Sequence, residues 1–93
     1  MITGSISRSD NVVWRRVDND IVVIPQNGQQ IIVLNKTAAV IWEMLDGECE
    51  IEYISTCLSE RFDVSKEKAR FDTASIIETF IQNGIAIQSE NIL

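Results

Sequence analysis

The chain has 93 residues, enough for one domain with a modest hydrophobic core. Its net charge of −6 disfavours nucleic-acid binding, because binders of that class neutralise phosphates with Lys and Arg. Two cysteines without a histidine do not make the usual four-ligand zinc site. No apolar run is long enough to span a bilayer or to form a signal peptide, so we expect a cytoplasmic protein without metal or membrane contact.

The N-terminal segment is rich in small polar residues. Residues 1–11 include Thr3, Gly4, Ser5, Ser7 and Ser9. Such a composition is typical of a flexible terminus. We therefore predict a flexible segment over residues 1–11 and a folded domain over residues 12–93.

Three strands are predicted after that segment. Residues 12–17, 21–24 and 30–34 are rich in β-branched and aromatic side chains. The turn-forming clusters Asp18-Asn19-Asp20 and Asn27-Gly28 separate them. Short connections between consecutive strands predict an antiparallel meander.

Three helices follow, over residues 36–45, 51–62 and 66–83, with a short extended segment after them. Asn35 is a candidate N-cap residue for the first helix, and either Asp63 or Ser65 begins the third. The first helix has one apolar face, and we expect its tryptophan to be a core residue; the face consists of Ala38, Ile41, Trp42 and Leu45. The predicted fold is α+β, a three-stranded antiparallel sheet followed by a three-helix bundle in a winged-helix-like arrangement.

The second and third strands are apolar on both faces. Residues 21–24 and 31–34 contain only Ile, Val and Leu. A sheet that helices cover on one face should instead alternate apolar and polar residues. The second face must therefore be covered by a terminal segment of the chain, by a second copy in a dimer, or by another partner.

The two outer strands of the meander differ in their protection against pairing. Arg15 and Arg16 in the first strand disfavour pairing with another chain, whereas residues 30–34 contain no charge and no proline. An unprotected edge of this kind can accept an extended peptide as an additional strand. The alternative is that this edge pairs with itself in a homodimer.

Catalytic signatures are missing from the sequence. There is no histidine, no glycine-rich phosphate loop and no nucleophile elbow. We therefore expect a protein that is not an enzyme and that has no catalytic residues, no cofactor and no metal.

Residues 34–42, LNKTAAVIW, resemble the centre of the PqqD family, in which a strand ending in Leu-Asn runs into a helix that carries a tryptophan. The resemblance continues through Leu45-Asp46-Gly47, Phe62-Asp63-Val64 and Asn83-Gly84-Ile85. It implies a fold of three strands and three helices. It also implies a non-catalytic recognition element that binds the leader of a ribosomally made precursor peptide and presents it to a maturase, often a radical S-adenosylmethionine enzyme.

The resemblance and the open edge together predict a binding site between the third strand and the third helix. The candidate residues of the strand are Gln30, Ile31, Ile32, Val33 and Leu34, and those of the helix are Arg70, Asp72, Thr73 and Ile76. Thr73 stands where the family usually has a larger aliphatic residue. The alternative functions are a winged-helix-like DNA-binding protein and a regulatory dimer.

Overall fold

The computed structural model describes residues 4–10, 12–25 and 30–89 and places them in three helices and two three-stranded antiparallel sheets. In chain order the elements are β1 (Ser5–Arg8), β2 (Val12–Val17), β3 (Asp20–Pro25), β4 (Ile32–Leu34), α1 (Lys36–Met44), β5 (Cys49–Glu50), α2 (Ile51–Phe62), α3 (Lys66–Gln82) and β6 (Ala86–Ser89). The Asn27-Gly28 turn predicted from the sequence lies outside the described residues.

The predicted meander is confirmed as one sheet with the strand order β2-β3-β4. β2 and β3 form a hairpin around Asp18, which adopts the left-handed conformation that aspartate tolerates in turns. β4 is shorter than predicted. If its pairing with β3 continued, Gln30 would stand opposite Pro25, which has no N–H to donate.

The three predicted helices are confirmed, each within one residue of its expected end. The Asn35 Oδ1 atom accepts a hydrogen bond of 2.9 Å from the Ala38 backbone N–H, and this caps α1. The Ser65 hydroxyl accepts one of 3.1 Å from the Lys68 N–H and caps α3. These local signals explain why the helix starts are readable from sequence.

The second sheet, with the order β5-β1-β6, differs from two predictions. Residues 5–8 form its central strand and Ile6 is fully buried, so a flexible segment is the wrong description for this part of residues 1–11. Residues 1–3 and 11 lie outside the described residues. The predicted order of one sheet followed by a bundle is not confirmed, because β5 lies between α1 and α2 and β6 follows α3. The winged-helix label stays a prediction.

Trp42 of α1 is fully buried, as predicted, and lies where both sheets and α3 meet. Its ring makes edge-to-face contacts with Trp14 of β2, at a centroid distance of 6.3 Å, and with Phe80 of α3, at 5.6 Å. Aromatic pairs favour this geometry because the positive edge of one ring meets the negative face of the other. Trp42 therefore belongs to the core and not to a ligand site.

Arg8 of β1 joins the two sheets through the same tryptophan. Its Nη2 and Nε atoms donate hydrogen bonds of 2.7 and 3.1 Å to the Trp42 carbonyl oxygen. Its guanidinium also lies 4.7 Å from the centroid of the Trp14 ring. Burial lowers the pKa of the Arg8 guanidinium, and the Asp46 carboxylate opposes that shift. Arg8 thus fixes the N-terminal strand to the end of α1.

Candidate functional site

β4 is an edge strand of the β2-β3-β4 sheet, the meander sheet. Within the described residues it pairs only with β3, so its other edge has no strand beside it. Its side chains alternate, since Leu34 is buried in the core, Ile32 is half-buried and Val33 is exposed on the opposite face. The backbone N–H and C=O groups along this edge can accept an extended peptide.

A groove of about 220 Å³ opens between the end of β4, the start of α1 and the side of α3. It is lined by Asn35, Thr37, Asp72, Ser75 and Ile76. The capping hydrogen bond of Asn35 fixes one wall of the groove to the first turn of α1. The groove combines one aliphatic contact with several hydrogen-bonding side chains and one carboxylate.

The carboxylate of Asp72 lies at the rim of this groove, where its side chain keeps a third of its surface exposed. The Lys68 Nζ atom, one helical turn earlier, lies 3.2 Å from its Oδ2 atom. An exposed pair at this spacing contributes only about 0.3–0.5 kcal/mol. A bound peptide can therefore reorganise this ion pair at little cost.

The structure separates the four candidate residues of α3. Asp72 and Ile76 line the groove. Arg70 instead faces α2, where its Nη2 and Nε atoms contact the Glu52 Oε1 atom at 2.7 and 2.9 Å. Thr73 is fully buried, and its hydroxyl has no hydrogen-bond partner among the described residues. Arg70 and Thr73 therefore stand outside the groove.

Three lining residues were not among the candidates from the sequence. The sequence indicates Asn35 only as a helix cap and gives no separate signal for Thr37 or Ser75. The signal that could have found Ser75 is its helical position, since it lies beside Ile76 and three residues after Asp72. Asn35 and Thr37 could have been found from the chain path, because they directly follow β4.

Among the described residues, two larger openings lie away from the β4 edge. One of about 400 Å³ is lined by Arg16, Asn19, Asp20, Lys36, Ala39, Val40, Glu43 and Arg61. Another of about 280 Å³ is lined by Arg8, Trp14, Glu43 and Asp46. Both are walled by charged side chains of both signs, and in the larger one Arg16 already pairs with Glu43. Their size alone does not make them better peptide sites, because neither borders the unpaired strand edge.

Cys49 is not an activated nucleophile. Burial raises the pKa of the Cys49 thiol, and a nucleophilic or metal-binding cysteine needs the opposite shift toward the thiolate. Among residues 4–10, 12–25 and 30–89, no three His, Cys, Asp or Glu side chains are grouped so that they could hold a metal ion. No helix in the same part of the chain is long and apolar enough to cross a membrane.

Comparison with known families gives a match to the family described as Coenzyme PQQ synthesis protein D (PqqD), over residues 20–86. The chain belongs to the PqqD family. The matched region includes β4, α1 and all of α3, and so it contains every wall of the groove. Among curated proteins, none matches the chain significantly.

Solved structures with this PqqD-family fold include two proteins bound to leader peptides. A lasso peptide synthetase B1 complexed with the leader peptide is 22% identical, with a TM-score of 0.77 over 88% of this chain and 96% of that one. TbiB1 in complex with the TbiA(beta) leader peptide is 16% identical, with a TM-score of 0.82 over 91% and 99%. These likenesses establish the shared fold.

A third similar structure is the PqqD truncation of Methylobacterium extorquens PqqCD, determined by solution NMR. It is 15% identical, with a TM-score of 0.74 over 90% of this chain and 89% of that one. It is described as a functional, stand-alone recognition element for ribosomally synthesised and post-translationally modified peptides. The α+β fold with three helices is therefore shared across the three structures.

Proposed function

We propose that this PqqD-family chain is a peptide-binding adaptor. It binds the leader segment of a ribosomally made precursor peptide and presents the rest of that peptide to a separate modifying enzyme. The observation that carries the proposal is the unpaired edge of β4 beside the groove against α3. The two similar proteins bound to leader peptides support it.

In this proposal the leader adds to the meander sheet as a fourth strand next to β4. Backbone hydrogen bonds supply affinity for any extended chain, and the groove selects among side chains. Alternate peptide side chains point toward α3, where Ile32 and Ile76 offer aliphatic contacts and Asp72 offers a hydrogen-bond acceptor. Because backbone pairing and apolar contact dominate, we expect a modest dependence of affinity on salt.

The strand-side residues differ in their proposed roles. Ile32 and Leu34 project toward the core side of the sheet, and Val33 projects to its other face. Gln30 and Ile31 are exposed just before β4, where a bound peptide can extend the pairing. Arg70 supports the groove only indirectly, through its ion pair with α2.

The adaptor positions the precursor peptide for the modifying enzyme and catalyses no reaction itself. The modifying enzyme is the second partner, and radical S-adenosylmethionine maturases are one class that would fit. We place the encounter in the cytoplasm, where ribosomal precursors are made. DNA binding is not favoured, since a chain of net charge −6 lacks the excess of cations that phosphate contacts require.

Two isoleucines of α3 allow a matched test of this site. Ile76 and Ile81 are both half-buried, but they lie five residues apart and so about 140° around the helix. Only Ile76 lines the groove. Affinity for a synthetic peptide with the sequence of a candidate leader is measured by calorimetry for the Ile76→Ala and Ile81→Ala variants.

We expect Ile76→Ala to weaken leader binding about tenfold, since losing an aliphatic contact of this size costs on the order of 1–2 kcal/mol. Ile81→Ala should leave affinity unchanged when both variants are compared below their melting temperatures. Equal affinities for both variants, or a loss confined to Ile81→Ala, would contradict the proposed site.

A further inference from the structure

We propose that the larger opening beside α1 binds an acidic segment of a second protein. The opening has a volume of about 400 Å³, which lies within the range of about 300–1,000 Å³ that is typical of ligand pockets. It lies between the β2-β3 hairpin, α1 and the last turn of α2. None of its lining residues lines the leader groove, so the inference goes beyond leader binding.

The floor of the opening is a side of α1 that a surface helix normally leaves in water. Lys36, Ala39, Val40 and Glu43 recur at the spacing of one helical face, on the side of α1 away from the core residue Leu45. Nevertheless Ala39 is only 5% exposed and Val40 only 8%. The opening therefore combines an apolar floor with a rim of longer, polar side chains.

The rim of the opening is rich in cations. Three of the eight Lys and Arg residues of the chain border it, against two of its 14 Asp and Glu residues, so this site is positive in a chain of net charge −6. Arg16 pairs with Glu43. Lys36 and Arg61 make no ion pair with another described residue, and Asp20 is the remaining carboxylate. A carboxylate ligand therefore meets a net positive charge.

The start of α1 adds to this positive potential. Of the three helices α1 alone has no acidic residue in its first turn, whereas α2 has Glu52 and α3 has Glu67. An acidic residue at that position compensates the positive end of the helix dipole. α1 instead begins with Lys36, a cation where the dipole disfavours one. A bound carboxylate supplies the missing negative charge.

These features define the chemistry of the bound segment. An aliphatic side chain fits on the floor, and carboxylates beside it in the sequence reach the cations of the rim. The opening does not border the β4 edge, so the leader and a second protein can be bound at the same time. We assign the segment to the modifying enzyme, the other protein that the adaptor contacts, and this assignment rests on the proposed function.

Titration of the isotope-labelled full chain with short peptides, followed by NMR of the backbone amides, tests the proposal. The probe is acetylated and amidated Glu-Leu-Glu. Gln-Leu-Gln removes its charge, and Glu-Gly-Glu removes its aliphatic side chain. The variants are Lys36→Glu and Arg61→Glu. The matched control is Lys66→Glu, because Lys66 is also the exposed first residue of a helix but does not border the opening. Far-ultraviolet circular dichroism verifies that each variant is folded.

We expect Glu-Leu-Glu to shift the amides of residues 16–20 and 36–43 with a Kd of about 1 mM. Lys36→Glu and Arg61→Glu should each weaken binding about fivefold, since each replaces an attraction by a repulsion at an exposed site. Lys66→Glu should leave the affinity unchanged, and both control peptides should bind more weakly than the probe. The absence of shifts up to about 20 mM probe, equal affinity for either control peptide, or an equal loss for Lys66→Glu overturns the proposal.

Competition with a synthetic peptide of candidate-leader sequence tests the assignment to a second protein. The shifts caused by Glu-Leu-Glu should persist when this peptide is added, whereas displacement of the probe would place the leader in the opening and overturn the assignment. Calorimetry with the same leader peptide tests the adaptor function separately, and Arg61→Glu should bind it as the unmodified chain does. Failure of the unmodified chain to bind any candidate leader would contradict the adaptor function, and with it the assignment to the modifying enzyme, but not the binding of acidic peptides.

Discussion

The two sheets of this chain are built from opposite kinds of connection. The β2-β3-β4 sheet, which we call the meander sheet, joins strands that follow one another in the sequence. The β5-β1-β6 sheet, the terminal sheet, joins residues 5–8, 49–50 and 86–89. The meander sheet follows from local sequence signals, whereas the terminal sheet exists only once the helices have brought its strands together.

The two sheets also differ in how much of their surface is left unpaired or exposed. In the terminal sheet the central strand is paired on both sides, and the Ile51 N–H also donates to the Gly4 carbonyl oxygen at 3.0 Å. In the meander sheet β4 keeps an unpaired edge among the described residues, and the outer face, which points away from the helices, keeps aliphatic side chains such as Val33 in solvent. The terminal sheet therefore contributes to stability, whereas the meander sheet has surfaces that other molecules can contact.

The largest expected effect is at Trp42, where the two sheets meet. Trp42→Ala should cost about 3–5 kcal/mol, because a buried aromatic side chain leaves a cavity and loses its ring contacts. Since small domains have a total stability of only about 5–15 kcal/mol, the variant should melt at a much lower temperature. Thermal unfolding measures this loss of stability. An unchanged melting point would contradict the assignment of Trp42 to the buried face of α1.

The next effect compares one substitution in the two sheets. Ile6→Ala in the terminal sheet should cost about 2–5 kcal/mol, because Ile6 is fully buried. Ile24→Ala on the outer face of the meander sheet should cost less than about 1 kcal/mol, because Ile24 is already exposed. Urea unfolding at low protein concentration gives both values. Similar losses in the free energy of unfolding for the two variants would contradict the proposed difference between the terminal sheet and the meander sheet.

A smaller effect is expected at Arg8, which links the sheets. Arg8→Lys keeps the charge but cannot make two hydrogen bonds to the Trp42 carbonyl oxygen while stacking on Trp14. We expect a loss of about 1 kcal/mol in the free energy of unfolding. Arg15→Lys is the control, since no bond of its guanidinium is seen among the described residues. Equal losses for both variants would mean that Arg8 is only a surface charge.

The sequence predicted the parts of the fold that depend on local chemistry. The turn at Asp18, the caps at Asn35 and Ser65 and the helical periodicity act within a few residues, so three strands and three helices were readable. β1 could not be predicted in this way. Its residues, Ser-Ile-Ser-Arg, form a strand only by pairing with β5 and β6, which lie more than 40 residues away in the sequence. Its polar composition is equally typical of a flexible terminus, so the local pattern does not identify it as a strand.

The candidate site was predictable to the same extent. The β4 edge follows from strand order and the absence of charges; its outer position in the sheet is confirmed, and its use as a peptide site stays a prediction. The side of α3 that faces this edge is set by the orientation of α3 about its axis as it packs against α2. No local sequence pattern indicates that orientation. Asp72 and Arg70 are two residues apart and about 200° around the helix, so one lines the groove and the other pairs with Glu52.

The most direct test of the account is amide hydrogen exchange with and without the leader peptide, read strand by strand. We expect exchange to slow along Ile32–Leu34 of β4, and to a smaller extent in the half of α3 that holds Asp72 and Ile76. Exchange in β2 and β6, the outer strands that serve as internal controls, should stay unchanged. Slower exchange in β6 or β2 without any change in β4 would contradict the claim that the leader docks on the open edge of the meander sheet.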